Sequence, residues 1–277
     1  MATVWGSFHQ WGADNMKPPL LEMLEEASRL LTLPDGSTRS TISLLDAADI
    51  AQRSGRTRKE IDILALEHDI VPERYIRNMN ALSIKDQITL LQSRVCIVGL
   101  GGLGGTVVER LARIGVGAMT VVDGDIFDES NLNRQAISSE QNLSQTKTAA
   151  ALEKVLTINS SILIQDHTEK MDGENAASLL EHADIAIDCL DNIHTRFVLE
   201  KAAKSAGIPM VSAAVAGYSG QITAIFPEDK GLELIYGPKE SLSSDRGAET
   251  TLGNLAFTVS LMASLECAEV VKILLNK

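Results

Sequence analysis

The period of the hydrophobic positions changes near residue 94. Before it, Leu20, Leu21, Leu24, Ala27, Leu30 and Leu31 recur at helical spacing from Pro19 until Pro34-Asp35-Gly36 interrupts them. Two further helical stretches follow at about 43–53 and 58–68, joined by a Ser54-Gly55 turn, while residues 1–18 show no periodicity and read as a loose tail. From Arg94 the pattern alternates. Strands are expected at Arg94–Val98, Ala118–Val122, Ile162–His167, Asp184–Asp188 and Met210–Val215, with helices at Leu103–Ile114, Gln145–Thr157, Glu174–Glu181 and Ile193–Ala206 between or beside them. A last strand, Gln221–Phe226, comes so soon after Gly217 and Gly220 that antiparallel pairing fits. This alternation predicts an α/β fold, a Rossmann-like, mostly parallel sheet with helices on both faces, preceded by a small helical extension. The final helix, Leu255–Leu275, is apolar on nearly all sides and must be buried, either in the core or between two subunits.

Composition narrows the functional classes. The 277 residues, 44 % apolar and 22 % charged, suit one large globular domain or one domain with an appendage. A balance of 37 acidic against 25 basic side chains, net charge -12, opposes binding to nucleic-acid phosphates, and 4 % aromatics is too few for a base-stacking platform. The early helix pair has the layout of a helix-turn-helix, but with this charge it reads as a packing or dimerisation extension. No secretory signal is visible at the N-terminus, and the longest uncharged stretch, Ser205–Pro227, is broken by glycines and proline, so no membrane span is expected. Three cysteines without a CxxC pair fit a reduced, cytoplasmic protein.

The candidate chemistry begins at Gly99-Leu100-Gly101-Gly102-Leu103-Gly104, a GxGxxG turn between a strand and a helix. Glycines there allow a tight turn and let backbone N–H groups approach a phosphate at the helix N-terminus. Asp123 closes the next strand roughly 20 residues on, where an acid accepts hydrogen bonds from ribose hydroxyls. A nucleotide with an unmodified ribose is the expected ligand. NAD and ATP share this fingerprint. Arg134 and Lys147, with Asn131 as a neutral donor, favour the more highly charged triphosphate, since unpaired buried charge is costly. Asp191, in Asp188-Cys189-Leu190-Asp191-Asn192, sits at the strand end where open α/β sheets bind ligands. It can hold magnesium against phosphate oxygens, or cap the helix that follows; spacing leaves both roles open.

Together with Arg74-Tyr75-Ile76-Arg77, Val122-Asp123-Gly124-Asp125, Ser130-Asn131-Leu132-Asn133-Arg134-Gln135, Pro209-Met210-Val211-Ser212 and Gly220-Gln221-Ile222-Thr223, these stretches make the chain similar to the ThiF/MoeB/HesA adenylyltransferases, relatives of ubiquitin-activating enzymes. The resemblance spans 74–277 and leaves 1–73 as tail and helical extension. It implies ATP-dependent adenylation of the C-terminal Gly-Gly carboxylate of a ubiquitin-fold sulfur-carrier protein, with pyrophosphate released. It also implies a homodimer in which Arg77 reaches the partner's ATP site. Carried over by position, Gly99, Gly101, Gly102, Gly104, Asp123 and Asp125 bind the nucleotide, Asn131, Arg134 and Lys147 contact phosphates, and Asp191 binds Mg2+.

That chemistry is self-consistent: a carboxylate is already ionised at pH 7, so no general base is required, and catalysis reduces to alignment and charge neutralisation. The two CxxC pairs that hold zinc in many relatives are missing from this sequence, as is a cysteine in the polar loop 228–253. The expectation is an enzyme without that structural zinc, which stops at the acyl-adenylate and leaves sulfur transfer to another donor. That loop is expected to be a lid over the carrier's tail or to be disordered, and Asp245 and Arg246 are candidate carrier contacts. Cys189 reads as a small buried hydrophobe. An NAD-dependent oxidoreductase would leave Arg134, Lys147 and Asp191 unexplained; a non-catalytic scaffold of the same fold would not need the whole polar set.

Overall fold

The computed structural model describes residues 18–239, 245 and 247–277. The tail 1–17 and Arg246 lie outside them. The chain divides into two compact units, with the break after Arg77.

The first unit contains α1 (Pro18–Ala27), β1 (Arg29–Thr32), β2 (Thr38–Ile42), α2 (Leu44–Ser54), α3 (Arg58–Glu67) and β3 (Ile70–Pro72). It is therefore not purely helical. The period that carried a helix through Leu30 and Leu31 ends at Ala27, and those leucines belong to a hairpin, pairing with Ser40 and Arg39. Pro34-Asp35-Gly36 is the hairpin turn, closed by the Leu33 N–H donating to the Ser37 carbonyl at 2.8 Å with Gly36 at φ +83°. The helix pair forms as its caps dictate: Ser43 and Thr57 cap α2 and α3, Glu60 completes a capping box, and Gly55 ends α2 in the left-handed region. Leu24, Ile42, Ile50, Ile61 and Ala65 make its core.

The second unit starts with α4 (Ile84–Gln92), then runs β4 (Arg94–Val98), α5 (Gly102–Ile114), β5 (Ala118–Val122), α6 (Lys147–Ile158), β6 (Leu163–His167), α7 (Ala176–Leu179), β7 (Ile185–Asp188), α8 (Ile193–Ala206), β8 (Met210–Ala216), β9 (Ser219–Ile225), α9 (Glu233–Tyr236), α10 (Glu249–Leu252) and α11 (Ala256–Leu274). Its six-stranded sheet has the order β6-β5-β4-β7-β8-β9, parallel except for β9, which pairs antiparallel with β8. The strand alternation sorts side chains onto two faces. Val95, Ile97, Met119, Val121, Ile185 and Ile187 pack with α5, α6 and α11, while Cys96, Val98, Val122, Ala186 and Met210 pack with residues of α7 and α8. The order reverses between β4 and β7, because β5 follows β4 to one side and β7 returns to the other. A crevice opens at such a switch point, beyond the carboxyl ends of the strands.

The helix expected over Glu174–Glu181 shortens to α7. α11 is only partly buried: Val259, Ala263, Cys267 and Val270 face the core, but Phe257, Leu261 and Leu265 stay exposed.

Candidate active site

The crevice at the switch point is a cavity of about 700 Å³. Each parallel strand delivers a wall segment from its carboxyl end: Gly99, Gly101 and Gly102 after β4, Asp123 to Asp125 after β5, Glu169 to Met171 after β6, Cys189 to Asn192 after β7, and Ala214 to Ala216 on β8. Arg134 and Lys147 join from the segment between β5 and α6. The structure thus gathers Gly99, Gly101, Gly102, Asp123, Asp125, Arg134, Lys147 and Asp191 around one space.

The glycines divide by role. Gly99 has φ +91°, and a Cβ on it would lie 2.6 Å from the Cys189 carbonyl oxygen; a Cβ on Gly104 would lie 1.8 Å from the Gly99 oxygen. Gly104 is not on the cavity wall; its bareness lets α5 pack on the β4 turn. At Gly101, by contrast, the nearest atom to an added Cβ is Gln135 Nε2, 3.7 Å away, so this position opens onto the cavity.

Asp123 is held in place by two backbone donors: the Leu100 N–H reaches one carboxylate oxygen at 2.7 Å and the Asp125 N–H the other at 2.8 Å. Burial pushes its carboxyl above the usual range, against the pull of the Lys147 ammonium and those N–H groups. Thr146 caps α6, which sets Lys147 at the first position of the helix with its ammonium 3.2 Å from Asp125 and 3.9 Å from Asp123. Lys147 is only 7 % exposed. Arg134 donates to the Ser130 carbonyl at 3.0 Å and to Asn133 Oδ1 at 2.9 Å, which orients its guanidinium without neutralising it.

Asp191 is exposed on the wall, and the α8 cap is made instead by Asn192, whose Oδ1 accepts the Thr195 N–H at 2.8 Å. Asp191 is thereby left for a ligand. Among the described residues no group of three or more acids, histidines or cysteines forms a cation cage. One free carboxylate fits a magnesium ion that takes its other ligands from phosphates and water.

One expected contact lies elsewhere. Asn131 is buried off the cavity wall, its Oδ1 accepting the Asp128 N–H at 3.2 Å, so its amide stabilises the turn before Arg134. Arg77 is exposed at the end of the first unit. The polar loop is not a loose connection where it is described: Ile235, Tyr236, Gly247 to Thr250 and Asn254 line the cavity, and Asp245 caps α8 by accepting the Ile193 and His194 N–H groups at 2.8 and 2.7 Å. Asp245 is thus engaged within its own chain. Cys189 lines the cavity, but burial first, then Glu266 and Asp188, push its thiol well above the usual range, so it is not a poised nucleophile. Residues 169–171 carried no motif; their one signal was position, after the carboxyl end of a parallel strand.

The SAMP-activating enzyme E1 of Haloferax volcanii is 30 % identical over 209 residues, 74 % of this chain and 76 % of that protein. The molybdopterin-synthase adenylyltransferase of Escherichia coli is 32 % identical over 208 residues, 73 % of this chain and 81 % of that one. The adenylyltransferase and sulfurtransferase MOCS3 of Xenopus laevis is 30 % identical over 192 residues, covering 69 % of this chain and 43 % of MOCS3, so the chain spans under half of that relative. Among solved structures, PaaA superposes with a TM-score of 0.60 at 17 % identity over 91 % of both chains. The Escherichia coli tRNA N6-threonylcarbamoyladenosine dehydratase TcdA gives 0.61 at 21 % identity, covering 74 % of this chain and 95 % of its own. These two speak for the fold. The model of the ThiF family matches residues 75–277, and with the glycine turn, Asp123, Arg134 and Lys147 on one switch-point cavity, the chain belongs to the ThiF family.

Proposed function

We propose that the protein adenylates the C-terminal Gly-Gly carboxylate of a ubiquitin-fold sulfur-carrier protein with ATP, releasing pyrophosphate. The observation that carries this reading is the convergence of Asp123, Arg134, Lys147 and Asp191 on the cavity at the mouth of the glycine turn. The adenylyltransferase names of the relatives support the same kind of reaction. In this reading Asp123 accepts the ribose hydroxyls, and the Gly101–Gly102 backbone lies against the phosphates. Arg134 and Lys147 neutralise the chain of phosphates, and Asp191 holds Mg2+, which supplies further neutralisation. A carboxylate oxygen of the carrier attacks the α-phosphorus, the bond to the bridging oxygen breaks, and pyrophosphate departs with that electron pair. No proton need move, so the residues align and neutralise. The carrier's tail enters between the glycine turn and the loop bearing Gly247 to Asn254.

We further propose a cytoplasmic homodimer in which Arg77 completes the partner's site. A second copy is supported by α11, where Phe257, Leu261 and Leu265 form an exposed apolar stripe. Tyr218 extends the stripe, its ring centroid 5.8 Å from that of Phe257. Among the described residues, no helix is long and apolar enough to cross a membrane.

The test is carrier-dependent exchange of labelled pyrophosphate into ATP. Candidate carriers are the Gly-Gly-terminated proteins encoded near this gene, whether of molybdenum- or tungsten-cofactor, thiamine or cysteine type. Exchange with one of them is the expected result. No exchange with any of them, together with NADH oxidation, overturns the reading.

A further inference from the structure

Arg196, in the first turns of α8, is only 5 % exposed yet reaches the cavity wall. One of its guanidinium nitrogens donates to Asp188 Oδ2 at 2.9 Å, to the Ala213 carbonyl at 2.9 Å and to Ser212 Oγ at 3.1 Å. The other donates to the carbonyl of Leu190. Asp188, with no exposure at all, accepts the Leu190 N–H on its Oδ1 at 3.1 Å and the Ser212 hydroxyl on its Oδ2 at 2.6 Å. Leu190 is therefore fixed at both its N–H and its C=O by one buried ion pair, and Leu190 is the residue before Asp191.

A buried ion pair is a poor source of net stability, because desolvation of two charges offsets their attraction. What this pair does supply is position. It ties the end of β7 and the middle of β8 to the turn between β7 and α8, and the Asp191 carboxylate is carried on that turn. From this geometry we infer that Asp188 and Arg196 are positioning residues, which set the Asp191 carboxylate at the distance and angle a phosphate-bound magnesium ion requires. The inference rests on the nucleotide reading of the cavity and adds to it two residues that do not themselves touch metal or substrate.

The test is calorimetric titration of ATP into the full chain, with magnesium and with a chelator. Wild type is expected to gain affinity when magnesium is present. Arg196→Lys keeps a cation beside Asp188 but cannot span Leu190 and Ala213 together. It should lose roughly tenfold of that magnesium gain, the loss typical when a residue behind a metal ligand is removed. Its affinity in chelator should stay near that of wild type, which a merely structural role would not achieve. The paired change Asp188→Leu with Arg196→Met removes both charges, leaves no orphaned ion, and should show the same selective loss in a protein that melts cooperatively. A folded variant of either kind that keeps the full magnesium gain overturns the inference. A wild-type protein that binds no ATP in either condition overturns the nucleotide reading itself, and this inference with it.

Discussion

The Lys147 ammonium stands 3.2 Å from the Asp125 carboxylate and 3.9 Å from that of Asp123, so this buried cation of the cavity is shared between two acids. A triphosphate entering beside the glycine turn offers it a third, stronger anion. Lys147→Ala should therefore lower carrier-dependent pyrophosphate exchange by at least about 100-fold, in the range for removal of one preorganised charge donor. Because the lysine side chain is only 9 % exposed, the same change takes the nearby cation from the equally buried Asp123, while Asp125 keeps Lys170 at 3.9 Å, and should lower the melting temperature as well. Exchange near the wild-type rate would remove Lys147 from the phosphate site.

Asp191 and Arg134 differ from Lys147 in being more open to solvent. Neither Asp191→Ala nor Arg134→Ala should shift the melting temperature measurably, since surface changes of this kind stay within about 0.5 kcal/mol. Both should abolish exchange. If one of the two retains full exchange, its assigned role is wrong.

The glycine-turn half of the candidate site is legible in the sequence because its signals are local. The glycine turn, the acid after the second strand and the strand-end Asp188–Asn192 each declare themselves within a few residues, and the sheet order then brings them together. The remainder depends on long-range placement. Asn131 looks like a donor for phosphate, yet it is buried off the cavity wall, with its Oδ1 accepting the Asp128 N–H three residues earlier. Leu30 and Leu31 keep a helical period but are drawn into a hairpin by the turn after them. α11 reads as apolar all round, and only packing decides that Val259, Ala263 and Cys267 face inward while Leu261 and Leu265 do not. Arg196 carries no motif, since its role exists only through partners on two strands and a turn.

The glycine turn separates folding from binding. Gly104→Ala forces a methyl group to within 1.8 Å of the Gly99 carbonyl oxygen, a contact that backbone cannot yield cheaply. It should destabilise the protein by about 2–4 kcal/mol, the range for overpacking and backbone strain together, seen as a fall in denaturant midpoint. Gly101→Ala meets no atom closer than 3.7 Å and should fold, but its methyl group projects at the cavity and should weaken ATP binding at least tenfold. Equal melting temperatures for Gly104→Ala and wild type would contradict the packing role.

Behind the cavity wall, Glu266 of α11 is wholly buried, with Cys189 Sγ 3.7 Å from one carboxyl oxygen and no hydrogen-bond partner for the other. Burial, and next the charge of Asp188, push its carboxyl well above the usual range. The folded state therefore holds a proton that the unfolded chain releases near the ordinary glutamate value of about 4.3. With the folded pKa raised, the unfolded state binds fewer protons as pH rises past that value, so stability falls with pH until the folded pKa is passed. Glu266→Gln copies the protonated form and has no proton to lose. It should match wild type near pH 4, exceed it at pH 8, where folding obliges the wild-type chain to take up a proton that the unfolded state has released, and flatten the fall in melting temperature between them. A variant that tracks the wild-type pH profile throughout would show that Glu266 is ionised in the folded protein, with a partner for its charge inside the core.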